Sequence, residues 1–532
     1  MKPPRRVRNP DRGHDAGPSG AAWDPEGFGR LLRAEFTKLR TVRAWVITLC
    51  AAAAGFVLLS FATAFPDHAR NPSVPVGPGG EAVTDAYTFV HRTLTGDGTL
   101  TAQVTSLSGA HTSPSPVTRG AYGASSRGQA GSQLQAGLAP WAKAGIILEP
   151  DTRQGTAYAA VMVTGSHGVR MQYNYTHDTP GLADPAWMSF PRWLRLTRSG
   201  DLITGYDSTD GRNWTDIGSA RLTGLPPTVQ IGLFVTSPVY FAAGTTIGTS
   251  SVATARFDHV STQGDLPRRA WTAEVITDVY PTVPSASPWR QASAGPFTIS
   301  GSGDIAPLVG GGTVFSNWSG ASIVNGTIVS LLAVIVLAAS FVTAEYRRGL
   351  IRTTLAASPL RGRVLAAKAV IAGSLALAAG AVATATAEVI TRHVLSANGI
   401  YLFPQSGLAQ ARVIIGTGLF LGLAAALVVA LGMMLRRSAG TVLAGFVLLV
   451  LPGILGTATS LPASADSWLM RLTPTAAFAI QATLPRSRLV TAAYIPANGY
   501  FPASPWAGLG VLAAYTAVAL GAARWLLRRR DA

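Results

Sequence analysis

The sequence is poor in cysteine and in charge. Cys50 is the only cysteine among 532 residues, so no disulfide can form within the chain, and any folded domain must stand on its apolar core. Charged residues make up 13% of the chain, against about 25% in ordinary soluble proteins. Hydrophobic residues make up 48%, with a mean hydropathy of +0.28, a balance that points to a membrane protein. Acid is scarcer still: 26 Asp and Glu stand against 43 Lys and Arg, for a net charge of +17. Several catalytic signatures are missing. No GxxxxGK[ST] loop occurs, which excludes ATP hydrolysis by that machinery. There is no HExxH, no Cys/His spacing suited to zinc and no GxSxG elbow. No catalytic residue and no metal ligand is therefore assigned. The first apolar run starts too far into the chain for a cleavable signal peptide of the usual form. It is long enough to span, and it is expected to be an uncleaved helix that also directs insertion.

The basic residues gather beside apolar runs. Hydropathy places six spans at Ala44–Phe65, Ile323–Thr343, Ala369–Ile390, Val413–Leu435, Ala439–Thr459 and Trp506–Leu527. Alternating spans put the basic N-terminus, the loop Ala344–Lys368, the turn Arg436–Ser438 and the tail Arg528–Ala532 on one side. Lys/Arg bias makes that side cytoplasmic. The expected setting is a bacterial plasma membrane, the Ala-, Gly- and Arg-heavy composition being of bacterial type, with both termini cytoplasmic. A nucleic-acid binder would instead carry its charge as a patch on a folded domain, so no nucleic acid is expected as partner. Trp506 and Trp525 bracket the last span as interfacial anchors would. Gly and Ala are frequent in the third and fourth spans, which suits close helix packing.

Residues 1–22 are Pro-, Arg- and Gly-rich without periodicity and are expected to be a disordered cytoplasmic tail. In residues 23–43 the apolar positions Phe28, Leu31, Leu32, Phe36 and Leu39 recur at helical spacing, with Arg30, Arg33, Lys38 and Arg40 on other faces. This predicts an amphipathic helix in the membrane interface, ahead of the first span at 44–65. The alternative is a plain cytoplasmic extension of that span.

Residues 66–315 cannot lie in lipid. They are rich in Gly, Pro, Ser, Thr and aromatics and alternate in short pieces: Tyr87–Val90, Thr99–Val104, Ala142–Leu148, Ala157–Val163, Val169–Tyr173, Arg192–Arg198, Leu202–Tyr206, Val229–Val235 and Ala253–Val260. Turn residues separate them, as in a β-sandwich. Ser108–Ala139 is expected to be a long loop, and Gly295–Leu308 a last extended piece returning to the membrane. The fold class is thus a six-helix membrane domain with a large extracytoplasmic all-β sandwich between spans one and two; residues 316–532 hold spans two to six. Leu469–Leu484 is expected to form one or two short helices on or partly in the outer leaflet.

Candidate sites are few. Ala344–Lys368 (AEYRRGLIRTTLAASPLRGRVLAAK) combines a short helix at Leu350–Ala357, a Ser358–Pro359 break and flanking arginines. It reads either as a docking segment for a cytoplasmic partner or as an ordinary positive loop. Lys368 can snorkel to the inner surface. Glu388 is the one carboxylate well within a span and a functional candidate on that ground; an i,i+4 pair with Arg392 near the membrane boundary is the structural alternative. Asp210–Gly211 in YDSTDGRNW suits a hairpin turn with Trp214 packed on the following strand, since the alternating acids of a calcium loop are missing. Glu149 and Asp151 resemble a glycosidase pair, but Gln154 and Pro150 break the pattern. Asn174, Asn213, Asn317 and Asn325 fit a glycosylation pattern, which carries no weight in such a composition.

The segments AEFTKLRTVRAW, FVTAEYRRGLIRTTLAASPLRGRVLAAKAV, RLTPTAAFAIQATL and LLRRRDA together resemble the membrane permeases of ABC-2-type transporters. The likeness covers the N-terminal helix, all six spans and their loops. The segments GDGTLTAQV, PWAKAGIILE, RWLRLTRSGDLITGYDSTDGRNW, IGLFVTS and ATARFDHV resemble, diffusely, the concanavalin A/laminin G-like sandwich. The first resemblance implies an exporter permease that binds no cofactor itself. It implies a separate ABC ATPase subunit that binds ATP and Mg, and a second permease chain, identical or not, beside the lipid bilayer. It also implies that the N-terminal interfacial helix and the loop after span two form the ATPase-facing surface, with docking at Glu345, Tyr346, Arg347, Arg348, Gly349, Arg352 and Pro359. The large outer domain departs from the minimal family pattern and puts simple small-drug export in doubt. The alternative function is a membrane-anchored carbohydrate-binding or sensing protein.

Overall fold

The structure is a computed structural model that describes residues 25–63, 74–112, 134–181, 190–241, 248–265, 270–276, 288–292, 295–309, 318–347, 349–350, 360–397, 401–457, 463–492, 494–496 and 499–529. The expectations for residues 1–22 and for a helix at Leu350–Ala357 lie wholly or almost wholly outside these.

Helix α1 (Pro25–Thr41) precedes span one (Arg43–Thr63) with only Val42 between them. Span two is Trp318–Arg347, span three Arg361–Ala397, span four Gly407–Leu435 and span six Pro505–Arg529. Span five is broken, Ser438–Leu449 followed by Leu451–Thr457; Pro452 stands in the first turn of the second piece, where a missing N–H costs nothing. All six are long and apolar enough to cross a membrane, and they fall where hydropathy put them. The chain is a multi-pass membrane protein with a large β domain inserted after its first span.

Span four is the hub. Phe420, Ala424, Ala425, Val428 and Leu427 are buried against Ile335 and Val342 of span two, Leu365, Ala372 and Ala376 of span three, and Leu512 and Ala519 of span six. The third and fourth spans meet through glycine. A Cβ on Gly418 would come 2.7 Å from the Leu377 carbonyl, and one on Gly422 would come 2.9 Å from that of Gly373. Without a hydrophobic drive in lipid, such close backbone approach is what holds helices together.

The β domain is a sandwich hinged on one strand. β1 (Val83–Asp85) comes first, then β2 (Tyr87–Thr112), which serves both layers. Tyr87–Val90 and Thr99–Val104, read as two strands, are its two halves. β2 bends where Gly96 takes a positive φ of 68°. The first half pairs with β11 (Thr228–Thr236) and β15 (Thr272–Ile276). From β11 the sheet continues through β4 (Lys143–Glu149), β5 (Ala159–Thr164), β6 (Val169–Tyr173) and β7 (His177–Pro180). The second half pairs with β8 (Arg192–Ser199) and β14 (Ser251–Asp265). Beyond β8 lie β9 (Leu202–Ser208) and β10 (Thr215–Arg221); beyond β14 lie β17 (Phe297–Gly301) and β16 (Trp289–Gln291). A small pair, β12 (Tyr240–Phe241) with β13 (Gly248–Thr249), stands apart. Between the layers Leu94, Leu100, Val104, Ile146, Val161, Leu196, Ile231 and Phe257 are fully buried.

The expected loop Ser108–Ala139 is shorter at both ends. β2 runs on to Thr112, and β3 (Leu134–Ala136) pairs back onto it. β10 did not read as a strand because a bulge between Asp216 and Gly218 breaks its alternation.

A third layer covers the first sheet. β1 pairs antiparallel with β18 (Ile305–Pro307), so the outgoing and returning chains form one ribbon. Beneath it Tyr87, Phe89, Ile147, Tyr158, Met162 and Phe234 form a second buried cluster with Val83 and Ile305. This explains why β4 and β5 are buried on both faces. The ribbon also touches the helical module, where Ala82 N–H donates to the Tyr401 hydroxyl at 3.3 Å.

The segment Leu469–Leu484 contains the end of a helix at Ala463–Leu472 and a 3-10 helix at Pro474–Gln481. All of Pro474–Gln481 is buried, packed against Gly416 of span four and Gly508 of span six. The expected short helices are therefore present, and the second is enclosed by protein. Within a membrane domain, irregular backbone is tolerated where protein encloses it.

Candidate functional site

The end of the helical bundle away from the β domain is organised around four charges. On α1 the apolar stripe of Phe28, Leu31, Leu32 and Leu39 surrounds Glu35, which sits four residues after Leu31 and four before Leu39. Glu35 is 0% exposed. A lone buried carboxylate is prohibitively costly, and Glu35 is met by two ammonium groups. Lys38 Nζ lies 2.9 Å from its Oε1 and Lys368 Nζ 2.8 Å from its Oε2. Lys368, in the second turn of span three, is itself 0% exposed and also donates to Glu345 at the end of span two, at 2.7 Å. Lys38 reaches the same Glu345 oxygen at 3.0 Å. The Phe341 ring closes the site, 4.9 Å from Lys368 Nζ. Burial disfavours the charge on Lys38, but its bonds to Glu35 and Glu345 outweigh this and hold its pKa above the ordinary lysine value.

Two carboxylates and two ammoniums thus join α1, the end of span two and the start of span three. Lys368 does not snorkel: both carboxylates lie on the protein side, and the side chain turns inward to them. Sequence reasoning named Glu345, gave Lys368 a different role and missed Glu35. The available signal was a carboxylate in the centre of an apolar stripe, which requires a cation on whatever packs against it.

The other predicted docking residues lie beside this joint. Tyr346 is half-buried, its hydroxyl 3.6 Å from Met433 Sδ and its ring 5.5 Å from the Arg436 guanidinium. Arg436 ends span four in a left-handed conformation, φ 58°. Gly349 follows span two with a φ of 68°, exposed and with open space where a Cβ would be. The side chains of Arg347 and Arg348, and residues Arg352 and Pro359, lie outside the described residues. Arg361 donates to the Leu527 carbonyl of span six at 2.8 Å, which ties the far end of the same segment to the bundle. On α1, Leu39 is buried in the bundle core, Phe28, Leu31 and Leu32 are half-buried, and Phe36 is 42% exposed.

The end nearer the β domain holds weaker candidates. Glu388 is buried and pairs with Arg392 at 3.3 Å, the i,i+4 arrangement weighed from sequence. Gln481, at the end of the 3-10 helix, donates to Thr327 of span two at 2.6 Å and to Thr417 of span four at 3.0 Å. Arg412 donates to the Ala482 carbonyl. These bonds pin the 3-10 helix rather than open a path.

In the β domain, Glu149 lies under the ribbon with Tyr87 donating to its Oε2 at 2.5 Å. Burial pushes its pKa well above the usual carboxylate range; the Tyr87 bond opposes this, and the Asp85 charge adds to it. Gln154 donates to the Asp85 carbonyl, and Asp151 pairs with Arg153 on the surface. A scissile glycosidic bond has no access to a carboxyl walled in by its own linker. Asp210 is consumed locally: its Oδ1 accepts from the N–H groups of Arg212 and Asn213, both at 2.8 Å, and its Oδ2 from the Asn213 side chain. These bonds hold its pKa far below the ordinary value. Trp214 packs under the Arg195 guanidinium of β8, 3.8 Å away.

No family model matches the chain, and no curated protein matches it. One similar solved structure is the crystal structure of a functionally unknown protein from Saccharomyces cerevisiae. It is 13% identical over 37% of this chain and 84% of that one, with a TM-score of 0.22, a likeness too slight to carry an argument.

Proposed function

We propose that this chain is the membrane-spanning permease subunit of an ABC-2-type transporter, an exporter driven by a separate ATPase subunit and paired with a second permease chain. It carries no enzymatic site of its own; ATP and Mg belong to the partner. The membrane is a bacterial plasma membrane, the end bearing the charged joint is cytoplasmic, and the β domain faces outward as a receptor or gate.

The observation that carries this reading is the joint Glu35–Lys38–Glu345–Lys368. A protein that only anchors a sandwich has no need to lock a pre-span helix to the ends of two further spans through buried charge. A permease driven from outside does, because a push on α1 or on residues 344–368 then reaches span three and, through the glycine contact, span four. Closure of the ATPase pair would rock the two permeases about a shared path by this route.

The test is purification of tagged protein from native membranes in mild detergent, with mass spectrometry of what accompanies it. A stoichiometric P-loop ATPase is the expected companion, and Arg347→Glu with Arg348→Glu removes it. Absence of any ATPase under several gentle conditions defeats the reading and leaves carbohydrate binding by the β domain as the activity to screen.

A further inference from the structure

The same end of the bundle divides its charge in an unusual way. Glu35 and Glu345 are the carboxylates whose side chains the structure describes there, and both are turned inward onto lysines. The arginines on the outer side of α1 are left over. Arg30, Arg33 and Arg40 are exposed, and with Thr37 they follow a three- and four-residue spacing that lines one side of α1, opposite Glu35 and Leu39. Arg43, in the first turn of span one, is also exposed. Among the described residues none of these four has a carboxylate partner. Phe36 stands at the edge of this face beside Arg33 and Arg40, 42% exposed.

The level of the face is set by what adjoins it. One residue separates α1 from span one, and Trp45 in the first turn of that span packs edge-on against Phe341. At the end of span six Trp525 is 52% exposed with the Arg529 guanidinium 4.2 Å from its ring. Tryptophan and arginine together mark the headgroup zone. A row at that level would meet lipid phosphates, with an exposed aromatic beside it to enter the acyl boundary. Guanidinium groups left without carboxylates match phosphate by charge and by planar donor geometry.

We propose that the exposed face of α1 binds the phosphates of anionic phospholipids in the adjoining leaflet, with Arg30, Arg33 and Arg40 as the contacts and Phe36 as the apolar anchor. Each basic residue near an anionic surface is worth about fivefold in partition, so the three together favour anionic over zwitterionic lipid on the order of a hundredfold. The inference does not depend on the transporter reading.

The test uses the full-length protein in nanodiscs of mixed phosphatidylcholine and phosphatidylglycerol, followed by native mass spectrometry of the lipid retained on transfer to detergent. Preferential retention of phosphatidylglycerol is expected. The triple variant Arg30→Gln, Arg33→Gln, Arg40→Gln is expected to lose most of it. Arg488→Gln, an exposed arginine near the β domain, is expected to keep it, and so is the Arg→Lys triple in large part. Equal retention of the two lipids by the unaltered protein overturns the proposal, as does undiminished preference in the Gln triple. Displacement of the lipid by millimolar inorganic phosphate also overturns it, since the site then takes free anions. So does capture of an acidic soluble protein that depends on these arginines while lipid retention does not. If the Gln triple fails to fold, the salt dependence of retention by the unaltered protein decides: a steep fall with salt supports the proposal, and none refutes it.

Discussion

Replacing Lys368 by Met tests whether the joint is structural. The substitution keeps the length and most of the volume of the side chain and removes only its charge. Glu35, 0% exposed, and Glu345, with a side chain 10% exposed, then keep Lys38 as their sole cation among the described residues. Removing one partner of a buried pair costs about 3–5 kcal/mol, because the other charge stays buried without compensation. Lys38→Met is the internal control. Its side chain is 41% exposed and Lys368 still covers both carboxylates, so the loss is discounted for solvent to roughly 0–1 kcal/mol. Two readouts apply. Denaturant unfolding in detergent gives the global cost. Maleimide labelling of Leu39→Cys in a Cys50→Ser background reports whether α1 has left the bundle, since Leu39 is 3% exposed. Lys368→Met is expected to expose the new thiol and Lys38→Met to leave it protected. Adding Glu35→Gln and Glu345→Gln to Lys368→Met should restore protection. Equal effects of the two lysine variants, or a thiol still protected in Lys368→Met, would refute the reasoning.

Three further predictions concern the rest of the molecule. The Glu149 carboxyl has a raised pKa when folded, so its contribution to stability is full below the unfolded carboxylate value near about 4.3 and is lost as pH rises through the folded value; Glu149→Gln should therefore gain on the unaltered protein in melts taken from mildly acid to mildly alkaline pH, and a constant difference would count against it. Gly418→Ala places a Cβ 2.7 Å from the Leu377 carbonyl and should cost about 1–3 kcal/mol, whereas Gly440→Ala, with nothing within 4 Å, should cost nothing measurable in the same unfolding assay. Lys143→Met leaves Asp304 buried without the ammonium now 2.8 Å away, so hydrogen exchange should rise at Leu308, whose N–H now donates to the Ala82 carbonyl across the ribbon, and stay slow in β5; uniform protection would show that the pair does not hold the ribbon.

What could be read from the sequence was whatever repeats at short range. The spans are unbroken apolar runs, and the strands alternate or, like β4 and β5, run apolar on both faces. Double-sided burial announces a covered sheet, but it does not say by what. The cover is made by β1 and β18, three-residue strands at opposite ends of the inserted domain, too short to carry a pattern and paired only because both chains must return to the membrane. Lys368 misled for a related reason. Its neighbours are alanines, which suit a snorkelling lysine and a buried one equally, and the carboxylates that decide the matter come from α1 and span two. Glu35 was legible in principle: its place within the stripe of Leu31, Leu32 and Leu39 contradicts a helix that faces lipid on its apolar side.

The division of labour between lysine and arginine at this end follows from donor geometry. Lys368 meets carboxylates from two different helices at 2.8 and 2.7 Å, which a compact ammonium with three divergent donors can do and a planar fork, suited to one carboxylate or phosphate at a time, does poorly. The arginines are always charged, and Arg30, Arg33 and Arg40 keep to the outside. Among the described side chains of this end, the positive charge on the outer face of α1 is therefore a remainder, left after Glu35 and Glu345 have been drawn inward. α1 takes part in both arrangements, Glu35 facing the bundle and Arg30, Arg33 and Arg40 facing outward. It cannot shift relative to the headgroups without straining the joint, nor can the joint rearrange without moving the arginine row. Whatever presses on this end of the protein acts on span three and on the lipid surface together.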